Sequence, residues 1–140
     1  MKKINFNLAV LFFLGIFLAL FSTQAHAQDD NALLKKLTSK EWGFNQTQCY
    51  DTNAFEGQIE NAKAKIQDIY EASVFRFAGA GTFTFGSPEA TNNGKFTLSG
   101  GYLTLRFNDG TSKKGKLSFN DYGMNFDYFE SGVNVILIFQ

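Results

Sequence analysis

The sequence predicts a mostly β domain: an eight-stranded antiparallel up-and-down barrel, with a short helix before the first strand and a second helix between strands one and two. Three observations predict it. Large apolar side chains recur at a spacing of two from residue 73 onward, the mark of half-buried strands. Turn-forming residues interrupt these runs about every ten residues, the rhythm of sandwiches and barrels. Short turns between successive strands make a meander, and a meander with one apolar face hides its edges by closing on itself.

The elements follow in order. In 29–37, Leu33, Leu34 and Leu37 share one helical face and Lys35 and Lys36 the other. Trp42 to Tyr50 sets Trp42, Phe44 and Tyr50 against Gly43, Asn45 and Thr47 and reads as strand one. Residues 53–70 read as the second helix. Asn53 with Glu56 is a capping pair, and Phe55, Ile59, Ala62, Ile66 and Ile69 form an apolar stripe opposite Glu60, Lys63, Lys65 and Asp68. Strands are then expected around Phe75 and Phe77, Phe83 and Phe85, Phe96 and Leu98, Leu103 to Phe107, Leu117 and Phe119, Met124 to Tyr128, and Val133 to Phe139. The turns between them, such as Gly79-Ala80-Gly81, Gly100-Gly101, Asn108-Asp109-Gly110 and Glu130-Ser131-Gly132, supply residues that tolerate positive φ.

Residues 1–27 have the order of a cleavable secretory signal peptide. Lys2 and Lys3 precede an apolar run from Leu8 to Phe21, and Ala25-His26-Ala27 is a small-x-small cleavage site. That run is shorter than the roughly 20 apolar residues of a spanning helix. Gln28, not cysteine, follows the cut, so no lipid anchor is expected. The expected mature chain, 28–140, is one domain with no transmembrane segment, exported to the periplasm or beyond. It carries 11 basic and 13 acidic residues once Lys2 and Lys3 are removed. That balance offers no surplus for nucleic acid or an anionic membrane. Cys49 is its single cysteine, so packing, not a disulfide, must hold the fold.

The chain resembles the short lipocalin-like domains of exported bacterial proteins. The likeness is carried by Leu-Leu-Lys-Lys-Leu (33–37), by Glu41-Trp42 opening strand one, by Phe75 to Phe83, by Gly94 to Leu98 and by Tyr102 to Leu105. It departs from the lipocalin pattern at Lys40, where Gly-x-Trp would place glycine, and in a last strand without arginine. The resemblance implies a barrel that binds a small apolar molecule, with the helix at 53–70 folded over its mouth.

The only histidine, His26, belongs to the leader. The mature chain thus lacks an imidazole for general base work or a triad, and a zinc site would have to be built from carboxylates. No catalysis and no cofactor are expected. Gly79-Ala80-Gly81 joins two strands and is not followed by a helix, so it is no phosphate loop. Lys113, Lys114 and Lys116 read as a solvated hairpin, Asp109, Asp121 and Glu130 as turn formers, and Asn45-Gln46-Thr47 as a chance sequon inside a strand.

What stands out is aromatic content on one face. Trp42, Phe44, Phe75, Phe77, Phe83, Phe85, Phe96, Phe107, Phe119, Phe126 and Tyr128 share the inward parity and are the candidate ligand-binding residues of the barrel interior, with Phe55, Ile59 and Ile66 as the candidate lid. Such a barrel is just wide enough to be filled by side chains or to hold one small ligand. Two functions therefore compete: a binding module for a small apolar ligand, and a solid-core structural or protein-interaction domain of the bacterial envelope. Neither specifies a protein partner.

Overall fold

The computed structural model describes residues 29–50, 56–87 and 91–140. The expected leader, the Asn53 cap and Phe55 of the expected lid lie outside the described residues. Two helices, α1 (residues 29–37) and α2 (Glu56–Tyr70), accompany eight strands: β1 (Trp42–Tyr50), β2 (Val74–Ala78), β3 (Thr82–Gly86), β4 (Thr91–Ser99), β5 (Tyr102–Phe107), β6 (Ser112–Asn120), β7 (Gly123–Glu130) and β8 (Val133–Phe139). The strands pair in chain order, all antiparallel, and β1 pairs with β8 to close the barrel. The expected up-and-down barrel is thus the observed one.

Alternation decides which residues fill it. In β7, Met124, Phe126 and Tyr128 are buried, and in β8, Val133, Val135, Leu137 and Phe139. Each large apolar side chain taken from water contributes about 1.5–3 kcal/mol, so a slip of one residue would expose a whole row. Two inward positions carry glycine because their neighbours need the space. A Cβ at Gly94 would run into the Arg106 carbonyl and the Phe83 ring, and one at Gly115 into the Asp127 carbonyl and the Phe126 ring.

Strand β1 departs from simple alternation. Its register against β8 shifts between Phe44 and Gln46, a bulge that switches which parity faces inward. Thr47 is buried and Cys49 half-buried beyond that point, while Tyr50 is exposed and donates its hydroxyl to Asp127 Oδ2 at 3.2 Å. The expectation that Tyr50 shares the face of Trp42 and Phe44 is therefore corrected. Pairing of β1 with β2 is confined to Trp42–Phe75 and Gly43–Val74. Above it α2 packs along β1, with contacts to β8.

The two helices occupy opposite ends. At one end lie Leu33, Leu34 and Leu37 of α1, with Leu37 fully buried and its carbonyl accepting the Trp42 indole N–H at 2.8 Å. At the other, Ile66 and Tyr70 of α2 are buried in the core, and Ile59 and Ala62 pack against it. Ile69 breaks the expected stripe: it is 52 % exposed. No helix among the described residues is long and apolar enough to cross a membrane.

Candidate functional site

All eleven expected interior residues belong to the core or pack against it. Most of them meet one another. The Phe75 ring stacks on Phe85 at 4.4 Å and on Phe77 at 5.6 Å, and meets Phe139 edge-on at 5.4 Å. Phe96 meets Phe77 edge-on at 5.3 Å, and Phe107 meets Phe83 at 5.2 Å. Trp42 and Phe119 form a separate pair, 5.4 Å apart, at the α1 end. These are contact separations for aromatic pairs, so the phenylalanines of β2 to β5 pack on one another. Phe44 belongs instead to the α2 end, where its ring lies 5.9 Å from Tyr70.

The α2 end has a different chemistry. Alternation in β6 turns Lys113 toward the same side as Gly115 and Leu117, and alternation in β7 turns Glu130 toward the side of Phe126 and Tyr128. Lys113 Nζ lies 2.6 Å from Glu130 Oε2 and 5.0 Å from the centre of the Tyr128 ring. Lys113 is therefore no solvated hairpin residue, and Glu130 is the last residue of a strand, not a turn former. The signal was present in the sequence as spacing of two, but a run of lysines and a Glu-Ser-Gly triplet outweighed it.

Tyr70, four residues beyond Ile66 on the same helical face, brings a second phenol to this end, stacked against Phe75 and 5.3 Å from Phe85. Burial pushes the Tyr70 phenol well above its ordinary range, and burial, with Tyr70 and Glu130 adding to it, does the same to Tyr128. Both hydroxyls are therefore neutral donors at any physiological pH. Burial also works to raise Glu130, but the hydrogen bond and charge of Lys113, with help from Tyr128 and Lys65, outweigh it and hold the carboxyl below its usual value. The Tyr128 hydroxyl is buried without a hydrogen bond of good geometry, although Tyr70 and Glu130 are close enough to polarise it. Buried hydroxyls without partners are rare in folded proteins.

Beside this cluster, between α2 and the β7–β8 turn, is a cleft of about 410 Å³. Ala62, Ile66, Ile69 and Val133 give it an apolar side, and Lys65 and Glu130 a charged one. Ile66 of the expected lid thus lines the cleft, whereas Ile59 packs on the core. Among the described residues, no three His, Cys, Asp or Glu side chains converge as metal ligands. Cys49 is half-buried in β1, where desolvation raises its thiol pKa.

No family model matches the chain, and no curated protein matches it. The chain is similar to a solved DUF4847 family protein from Bacteroides vulgatus. The two share 12% identity over 74% of this chain and 94% of that one, with a TM-score of 0.50. At that identity the likeness speaks to the fold alone. A barrel fold hosts many functions, so function must be argued from the α2 end itself.

Proposed function

We propose that this chain is an exported, non-enzymatic, lipocalin-like binding module for a small apolar ligand, with α2 as the lid of its site. The observation that carries this reading is the cleft under α2. Its volume falls in the range of small-molecule pockets, about 300–1,000 Å³, and its apolar lining with a few convergent polar groups is the usual make-up of such sites. The reading moves the site from the aromatic interior to the mouth. The interior rings contact one another, whereas at the mouth Ile69 is left half in water.

One observation favours the solid-core reading: the mutual packing of Phe75, Phe77, Phe83 and Phe85, tight enough to leave Gly94 without room for a methyl group. Thermal unfolding of the purified protein with 1-decanol and 1-aminoanthracene separates the two. A ligand bound only by the folded state raises its stability, by about 2.7 kcal/mol at a hundred times its Kd. The binding reading expects a rise in Tm with at least one probe. It also expects Ile69→Asp to abolish that rise while changing the stability of the free protein by no more than about 0.5 kcal/mol, as exposed positions do. If neither probe shifts Tm, the solid-core reading replaces it.

A further inference from the structure

Four polar groups converge at the α2 end, and their pairing is uneven. Lys113 and Glu130 satisfy each other at 2.6 Å. The Tyr128 hydroxyl lies close enough to Glu130 and Tyr70 to interact with them, but its residue is only 4 % exposed and the oxygen has no hydrogen-bond partner of good geometry. Glu130 links this buried group to the cleft, since it also forms part of the cleft wall. A buried hydroxyl held beside a cleft, without a bond of its own, is a donor waiting for an acceptor.

We propose that this site recognises ligands with an uncharged, hydrogen-bond-accepting head group, a hydroxyl or a carbonyl, bound by the hydroxyls of Tyr128 and Tyr70 while the apolar chain lies along Ile66, Ile69 and Val133. The proposal rests on the binding reading above and names the ligand class. Charge selects against the alternatives. An anionic head would be buried beside the Glu130 carboxylate, with Lys113 already paired to that carboxylate and Lys65 alone in the cleft wall to offset it. A cationic head would face Lys113 and Lys65. Burying an unpaired charge is far costlier than burying a hydroxyl that finds a partner. The phenols, by contrast, are neutral donors that an alcohol or carbonyl oxygen satisfies. Neither phenol lines the cleft itself, so the binding proposed here requires Ile66, which is buried between the cleft and the core, to give way.

Calorimetric titration of the purified protein with three decyl probes, 1-decanol, decanoate and decyltrimethylammonium, tests this. Decanol is expected to bind about tenfold tighter than either charged probe. Tyr128→Phe should weaken decanol by about five- to tenfold, the loss of one hydrogen bond. Tyr70→Phe should do the same to a smaller degree, and circular dichroism checks that both variants keep the fold. Equal or tighter binding of decanoate or the ammonium probe overturns the head-group inference and leaves the binding reading standing. So does unchanged decanol affinity in both folded variants. If no probe binds the parent protein, the binding reading falls and the inference with it.

Discussion

The two ends of the barrel are built on different terms. At the α1 end the polar groups that hold the helix are matched. The Asp30 carboxylate accepts the N–H groups of Gly100 and Gly101, both at 2.8 Å, and so ties α1 to the β4–β5 turn. The Trp42 indole donates to Leu37, and Lys40 lies 4.6 Å from the centre of its ring. At the α2 end a phenol hydroxyl has no proper bond, an ion pair sits half-buried, and Ile69 is half exposed. Two residues there also hold positive φ without being glycine: Ala72 after α2, and Ser131 in the turn that lines the cleft. Such conformations cost about 1–3 kcal/mol and persist where the surroundings impose them, often near sites. An end whose helix is tied down by hydrogen bonds serves stability. An end that leaves groups unsatisfied keeps interaction capacity in reserve.

The largest expected effect breaks the α1 end. Trp42→Ala removes a buried ring, its indole hydrogen bond and its contact with Phe119. Truncation of a buried aromatic costs about 3–5 kcal/mol, so the urea midpoint should fall sharply. If the two ends are separate in function, decanol affinity under conditions where the variant is folded should change little. Loss of binding in the folded variant would mean that the ends are coupled.

A smaller effect comes from pH and acts on the α2 end. The folded-state pKa of both Tyr70 and Tyr128 is raised. Their contribution is fully present below the unfolded value of about 10 and is lost as pH rises toward the folded value, because the unfolded chain releases the protons first. Stability should therefore decline above about pH 10, by up to about 1.4 kcal/mol per pH unit for each of the two groups. Glu130 behaves in the opposite sense. Its folded pKa is lowered, so its contribution is present at neutral pH and fades as pH falls from its unfolded value through the folded one. Partial exposure keeps that acid-side change small. Urea melts from pH 4 to pH 11 check both arms, and Tyr128→Phe should remove about half of the alkaline slope, with one of two buried phenols gone. A flat alkaline arm would show that the phenols are as wet in the fold as in the unfolded chain.

How much of this was legible in the sequence depends on which signal was read. Spacing of two placed Phe75, Phe83, Phe96 and Phe126 inside, because a strand has only two faces and phenylalanine in a row commits one of them. The same spacing held Lys113 and Glu130 on the inward side, but charged residues next to a turn are usually solvated, and composition overrode position. Tyr50 was misplaced for a different reason. A bulge inserts one residue and inverts parity beyond it, and the stretch Asn45-Gln46-Thr47 has no glycine to announce it. Ile69 kept helical spacing, yet the helix covers only part of the mouth, and no pattern within a helix shows how far its partner surface extends.

The smallest expected effect draws the comparison most finely, because it turns on sign. Tyr128→Phe and Trp42→Phe each take away one polar donor and keep most of a ring. At the α1 end the donor is bonded to Leu37 at 2.8 Å, so its removal leaves a buried carbonyl short of a partner. Together with the smaller ring, that should cost about 1–3 kcal/mol. At the α2 end the hydroxyl already bears the cost of burial without a bond in return. Deleting it relieves that cost, and the fold should be unchanged or up to about 1 kcal/mol more stable near pH 7. Chemical unfolding of the two variants side by side gives both signs at once. A loss greater than about 1 kcal/mol in Tyr128→Phe would mean that the hydroxyl is bonded in solution, to Glu130 or Tyr70, and the α2 end would then be as satisfied as its counterpart.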